Sequence, residues 1–154
     1  MQAIAAQADG LRATLAAAVE RDAQAFEAVL SATRLPKESG AEMMERQRAL
    51  EQATVQAAAV PLEVARQAAQ VIELAAEAAG TGNANAVSDA ISAAALARAG
   101  LVAAAANVRV NAAGLQDTAA VKDWLTEIGR LEERAAAAER QAQAALAQRV
   151  SLPA

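Results

Sequence analysis

The fold is decided by the stretch AVSDAISAAALARAGLVAAAANVRVNAA, residues 86–113. Its only charged residues are Asp89, Arg98 and Arg109, and its commonest residue is alanine, the strongest helix former. A helix that is apolar on nearly every side is normally covered by neighbours on several sides. We therefore expect this segment to be the central helix of an all-α protein.

Glycine and proline divide the rest of the chain into further helical segments. The four long segments predicted are about 2–33, 41–79, 86–113 and 118–150. Pro61 predicts a kink or break within the second segment, and Asn85 is a plausible N-cap for the third. Short loops favour antiparallel neighbours, so we predict one domain over residues 1–154, a long antiparallel bundle of four to five helices.

The composition excludes several classes of function. The chain has no cysteine and no histidine, which removes thiol nucleophiles and the usual zinc and di-iron ligand sets, so we expect no metal. The net charge is −4 and the basic residues are scattered, which argues against nucleic acid. Residues 90–108 contain Arg98 and are mostly alanine, poor material for a membrane span, and the chain start lacks a signal peptide pattern, so we expect a cytoplasmic protein.

Asp22 is the polar residue in the most awkward place. It lies three residues after Val19 and four before Phe26, and seven separate it from both Leu15 and Val29, which puts it on the apolar stripe of the first helix. A buried carboxylate is costly, so we expect Asp22 to be paired, to have a raised pKa, or to face a ligand cavity. A position at the edge of the stripe, paired with an arginine, is an equally good alternative.

The third helix carries a second polar line. Asp89 and Asn107 are 18 residues apart and share a face, which Asn111 extends. That separation is roughly 27 Å, so both cannot contact one small ligand unless a second subunit brings the helix ends together. Asp89 in the first turn also suits the helix dipole, and Asn107 and Asn111 are equally compatible with hydrogen bonds between helices.

The loop after the first helix holds Arg34 and Lys37 beside Pro36. These residues are either ordinary solvated charges or two cations presented to an anionic substrate. The long, alanine-rich bundle leaves apolar area uncovered, so we also expect a dimer.

Taken together, these residues resemble the cyclodeaminase domain of formiminotransferase-cyclodeaminase and the related methenyltetrahydrofolate cyclohydrolases. The elements that carry the resemblance are DAQAF (22–26), RLPK (34–37), VPL (60–62), GNAN (82–85), SDA (88–90) and NVRVN (107–111). Their order and spacing match that family across about residues 20–112.

The resemblance implies a dimeric α-helical enzyme with a tetrahydrofolate derivative bound near the subunit interface. Either a formimino group closes to a methenyl bridge with loss of ammonia, or water opens the methenyl bridge. Asp22 would then balance the cationic bridge or move the proton. Arg34 and Lys37 would hold the glutamate tail, and Asn83, Asp89, Asn107 or Asn111 would bind the pterin edge or orient water.

The chain departs from the family at its start. Family members begin with a further helix carrying a Pro-Gly-Gly-Gly-Ser-like turn, and here residues 1–4 correspond to the helix after it. We expect that this N-terminal helix and turn are missing, through an upstream start or a shortened relative. The alternative function is therefore a non-catalytic helical assembly or interaction protein derived from the same fold.

Overall fold

The computed structural model describes residues 1–115 and 118–149, except for the side chain of residue 118. The long helices are α1 (Gln2–Thr33), α2 (Gly40–Thr81), α3 (Val87–Ala112) and α4 (Thr118–Arg149), and one 3-10 turn (Ala84–Ala86) precedes α3. No strand occurs among the described residues. The prediction of an all-α protein with four long helices is confirmed.

The start of α2 is fixed by its own sequence. The Oγ atom of Ser39 accepts a hydrogen bond from the backbone N–H of Glu42 at 3.3 Å, and the Glu42 carboxylate accepts one from the backbone N–H of Ser39 at 2.8 Å. This reciprocal arrangement is a capping box. The backbone N–H of Ser39 also lowers the pKa of Glu42, because it stabilises the charged carboxylate.

The helix that packs against all the others is α2 rather than α3. Its buried stripe includes Leu62, Ala65, Ala69 and Ile72, and the core also takes in residues of α3 and α4. The prediction that residues 86–113 form the central helix is wrong for the single chain. The segment is apolar, but composition alone does not reveal which of its faces the chain covers.

The outer face of α3 remains bare. Leu96 is 76% exposed, Val110 73% and Val102 51%, whereas Leu101 and Val108 are fully buried on the inner face. By length and composition, the segment Ala84–Ala112 meets the criterion for a membrane-crossing helix, which core helices of soluble proteins also meet. Its Arg98 contacts Glu139 of α4.

Pro61 does not break α2, which continues from Gly40 to Thr81. Of the kink or break expected there, the break is wrong. A proline in a helix leaves the carbonyl four residues earlier without its N–H donor. Here that carbonyl is Ala57 O, and the side-chain Nδ2 of Asn111 donates to it at 2.8 Å. A side chain of α3 thus replaces the missing backbone donor of α2.

Charged pairs set the register between α2 and α4. Arg66 binds Glu127 through two hydrogen bonds of 2.6 and 2.7 Å, and Arg134 binds Glu73 through two of 2.9 Å. The pairs lie seven residues apart on both helices. At the end of α4, Arg149 donates to the carbonyl oxygens of Ala79 and Gly82 at 2.7 and 2.6 Å.

Candidate functional site

A groove of about 440 Å³ runs between α1 and α3, with α2 as its floor. Its α1 wall includes Ile4, Ala8 and Leu15. The remaining lining residues, mostly apolar, are Arg12, Val71, Leu74, Ala75, Ala78, Ala90 and Ala93. The groove is an apolar cleft that can take the flat face of a ring system.

Asp22 lies on the α1 face that lines this groove, because it is seven residues beyond Leu15. Its side chain is exposed, as are Val19 (73%) and Phe26 (61%) on the same face. The prediction that Asp22 is buried is therefore wrong in the single chain. The buried residues of α1 are Ala18, Ala25 and Ala32. Small side chains let α1 approach α2 closely, whereas Ile4 and Leu15 line the groove and Val19 and Phe26 stay exposed.

The arginine beside Asp22 pairs with a different carboxylate. Arg21 binds Glu63 of α2 at 2.5 Å, and this hydrogen bond lowers the pKa of Glu63. Gln67 donates from Nε2 to Glu63 at 3.0 Å and is only 8% exposed. Asp22 forms no ion pair within residues 1–115 and 118–149. The alternative in which an arginine neutralises Asp22 is therefore not observed.

Asn107 and Asn111 form a hydrogen-bonded chain on α3. The Nδ2 of Asn111 donates to Ala57 O and also to Oδ1 of Asn107, at 2.8 and 3.0 Å. The alternative of a hydrogen bond between helices thus holds for Asn111. Asn107 is exposed, and its own Nδ2 has no hydrogen-bond partner among the residues that the structure describes.

Asn83 and Asp89 lie at the end of the molecule where α2 passes into α3. The Oδ1 of Asn83 accepts from the backbone N–H of Asn85 at 3.0 Å and so caps the 3-10 turn. The N-cap of α3 is Ala86, so the prediction of Asn85 as N-cap is wrong. Asp89 is exposed in the first turn of α3, where the helix dipole favours a carboxylate.

Gly82 is required for the backbone path into that loop. A Cβ atom on Gly82 would lie 2.6 Å from the carbonyl oxygen of Ala78, closer than such atoms can approach. The same carbonyl accepts the backbone N–H of Gly82 at 2.8 Å. The close approach ends α2 and directs the chain into the loop that holds Asn83.

Arg34 and Lys37 are exposed in the connection between α1 and α2. The helix rise places the start of α2, at Gly40, about 25 Å along the axis from Ala57 and its partner Asn111. Within one chain these two cations are therefore far from the asparagines.

The fold brings Asp22, Asn107 and Asn111 to neighbouring levels along α2, outside residues 71–78 of α2, which line the groove. Arg21, next to Asp22, contacts Glu63, and Asn111 contacts Ala57. Those α2 residues are six positions apart, or about 9 Å. The predicted site therefore divides into three parts, and the part formed by Asn83 and Asp89 is the one beside the groove, since Asp89 is next in sequence to the lining residue Ala90.

Sequence reasoning missed the network of Arg21, Glu63 and Gln67. The available signal was Glu63 and Gln67, two polar residues one turn apart within the apolar part of the second segment. Among the described residues, no three acidic side chains converge as metal ligands would.

Two known proteins are similar to this chain, one in sequence and one in structure. Methenyltetrahydrofolate cyclohydrolase of Methylorubrum extorquens is 42% identical over 135 residues, which cover 87% of this chain and 65% of that protein. The crystal structure of formiminotetrahydrofolate cyclodeaminase from Thermotoga maritima superposes with a TM-score of 0.78 at 26% identity, over 91% of this chain and 66% of that one. The chain thus spans slightly less than two thirds of the length of each.

The match extends to the family as a whole. The family model for formiminotransferase-cyclodeaminase covers residues 1–130, which include every residue discussed around the groove. The chain belongs to the formiminotransferase-cyclodeaminase family.

Proposed function

We propose that the chain catalyses folate one-carbon interconversion, as a methenyltetrahydrofolate cyclohydrolase or a formiminotetrahydrofolate cyclodeaminase. Family membership supports the folate substrate, and the 42% identity to a cyclohydrolase, against 26% to a cyclodeaminase, favours the first reaction. The observation that carries the proposal is an apolar groove on the same face of α1 as Asp22, a carboxylate that forms no ion pair with the residues that the structure describes. The amides of Asn107 and Asn111 lie farther along α3.

The proposed chemistry uses those groups directly. The methenyl bridge is a cation, and hydrolysis adds water to its carbon to give a tetrahedral intermediate before one C–N bond opens. Asp22 is the carboxylate that balances the cation or accepts the proton from water. Asn107 and Asn111 bind the pterin edge. A catalytic pair with Arg21 is not available, because Arg21 is held by Glu63.

We further propose that the enzyme is a homodimer joined through the outer face of α3. Leu96, Val102 and Val110 are exposed there among alanines, which allow close helix packing. An antiparallel pair of α3 helices centred near Gly100 would set Asp89 of one copy beside Val110 of the other, within a turn of Asn107 and Asn111. This arrangement removes the roughly 27 Å separation found within one chain.

The same assembly gives roles to the remaining residues. Asn83 and Asp89 would lie near Asn107 and Asn111 of the second copy, and Arg34 and Lys37 would bind the glutamate tail of the folate. Within each chain we propose one domain whose consecutive helices run antiparallel. The contacts of Arg21 with Glu63 and of Asn111 with Ala57 support this arrangement. We propose a cytoplasmic location, in keeping with a soluble folate substrate.

The test is an optical assay of methenyltetrahydrofolate hydrolysis, with formiminotetrahydrofolate as the second substrate. Asp22→Asn should lower turnover about 100-fold, the usual contribution of a proton-transfer group, while leaving unfolding unchanged. Asp123→Asn, an exposed position on α4, is the matched control and should retain activity. Unchanged turnover in Asp22→Asn would remove that residue from the chemistry.

The second candidate is a non-catalytic helical assembly protein. The exposure of Asp22 and the distance of Arg34 and Lys37 from Asn111 are the observations on which this second candidate rests. A folded wild-type protein that turns over neither folate would establish this alternative.

A further inference from the structure

The two halves of α1 are attached to the rest of the molecule very differently. The buried residues of the helix all lie in its second half and are Ala18, Ala25 and Ala32. The side-chain hydrogen bonds between α1 and α2 lie in the same half. Arg21 donates to Glu63, and Arg46 donates to the carbonyl oxygen of Thr33. The second half of α1 is therefore anchored on α2 by both packing and polar contacts.

The first half of α1, residues 2–17, lacks such anchors. Its larger side chains, Ile4, Leu11 and Leu15, are only half-buried. In the described part of the chain, no side chain of this half forms a hydrogen bond with another helix, and Arg12 binds Asp9 one turn away. Partial apolar contact with α2 is thus what holds this half in place.

Open space lies on both sides of the first half. The apolar groove of about 440 Å³ separates it from α3, and a second groove of about 480 Å³ borders its opposite side. The second groove is more polar, with Gln70, Glu73 and Glu77 of α2 in its lining. The hydrophobic core that the described residues form takes side chains from α2, α3 and α4 and none from α1. The first half of α1 can therefore leave α2 without disturbing that core.

The sequence of this half also weakens its own helix. Gly10 lies in the helix interior, where glycine lowers the helix equilibrium about fivefold relative to alanine. The Oγ1 atom of Thr14 donates to the carbonyl oxygen of Gly10 at 2.9 Å, a contact that tends to bend helices. A helix of about 13 residues is marginal in water on its own, so residues 2–14 would unwind on leaving α2.

We propose that residues 2–14 form a lid, which opens from α2 and unwinds while the second half of α1 stays bound. Opening removes the groove wall that carries Ile4 and Ala8 and so admits a ligand to the groove floor on α2. A ligand with an apolar ring contacts this wall and the floor together, so it binds the closed state and shifts the lid toward it. The identity of that ligand as a folate rests on the proposed function, whereas the opening of the lid does not.

Native-state hydrogen exchange of the wild-type chain, followed by NMR at low urea concentrations, tests the lid without a ligand. The backbone amides of residues 6–14 should have protection factors at least about tenfold below those of residues 18–32, and urea should change them little. Amides of α2 and α3 that exchange through global unfolding should lose protection steeply as urea rises. Equal protection in the two halves of α1, with the same dependence on urea, would overturn the proposal.

Two glycine variants provide a matched pair, because an added Cβ atom would meet no neighbouring group within 4 Å at Gly10 of α1 or at Gly129 of α4. Gly10→Ala should raise the protection of residues 6–14 about fivefold, since alanine favours the helix that opening unwinds. Gly129→Ala stabilises α4, which stays folded when the lid opens, and should leave that protection unchanged. Equal effects of the two variants on residues 6–14 would mean that these amides exchange through global unfolding, which contradicts a lid.

A third measurement joins the lid to the groove, with 5-formyltetrahydrofolate as the probe. At about ten times its dissociation constant, it should raise the protection of residues 6–14 about tenfold, because it binds only when the lid is closed. Binding that leaves this protection unchanged would overturn the coupling between lid and groove. A chain that binds no folate would instead refute the proposed function, and exchange in the free protein would still decide whether the lid opens.

Discussion

Helices α2 and α3 differ in the opposite direction from their hydropathy, because the more apolar helix has fewer helix neighbours. The more apolar helix, α3, packs against α2 and α4 and leaves Leu96 and Val110 exposed, while the more charged α2 packs against every other long helix. Charges on α2 are accommodated at its edges, where Glu63, Arg66 and Glu73 bind partners on α1 and α4.

The difference shows what the apolarity of a helix measures. A helix that is apolar on nearly every side is expected to be covered on several sides, but its composition does not say by what. Contacts within the chain report only the part that is covered by the same polypeptide. Because the composition of α3 indicates more cover than its own chain supplies, we propose the dimer interface on this helix.

The largest effect on stability is expected at the buried inner faces of α2 and α3. Leu101→Ala on α3 and Ile72→Ala on α2 should each lower the free energy of unfolding by about 2–5 kcal/mol, because both side chains are fully buried. Met44→Ala, exposed on α2, is the control and should change it by less than about 0.5 kcal/mol. Urea denaturation measures all three. A small effect at Leu101 alone would mean that α3 is not anchored to this core.

The outer face of α3 provides the sharpest test of the comparison. Leu96→Glu should weaken self-association at least tenfold, because a charge would be buried between two helices. Gln143→Glu, exposed on α4, adds the same charge and should not change the mass measured by sedimentation equilibrium. A wild-type chain that remains monomeric at all concentrations would refute the proposed dimer.

The free energy of unfolding is expected to depend on pH through Glu63, at the edge of α2. The pKa of Glu63 is lowered by the hydrogen bond from Arg21, so its stabilising contribution is present above its ordinary value of 4.5 and is lost as the pH falls through the lowered value. The difference in unfolding free energy between the wild type and Glu63→Gln should therefore be largest near neutrality. It should shrink as the pH falls below about 4.5. Glu77→Gln, exposed on the same helix, is the control. A difference that is independent of pH would show that the ion pair is not its source.

The smallest effect is expected where α2 meets α4. A double-mutant cycle of Glu73→Gln and Arg134→Gln should give a coupling of about 0.2–1 kcal/mol, because both side chains are more than a third exposed and solvent screens the pair. The coupling should fall further at 1 M salt. A coupling above about 2 kcal/mol would mean that this edge is more protected from water than its exposure indicates.

Much of the fold could be predicted from the sequence because it depends on local interactions. The four helices begin and end close to the predicted positions, since Pro36, Ser39 with Glu42, and Gly82 act within a few residues of themselves. The site was harder to predict. The stripe containing Asp22 is real, but it lines an open groove, because α1 uses its alanines rather than its larger residues to contact α2.

The sequence by itself determined the helical class, the residues that share each helix face, and the family to which the chain belongs. These properties follow from propensity and from a repeat of 3.6 residues, which act along the chain. Only the tertiary structure decided that α2 is the hub, that Arg21 binds Glu63, and that Asn111 supplies the donor lacking at Pro61. Such choices depend on how closely two helices approach, which is set by packing between residues far apart in the sequence.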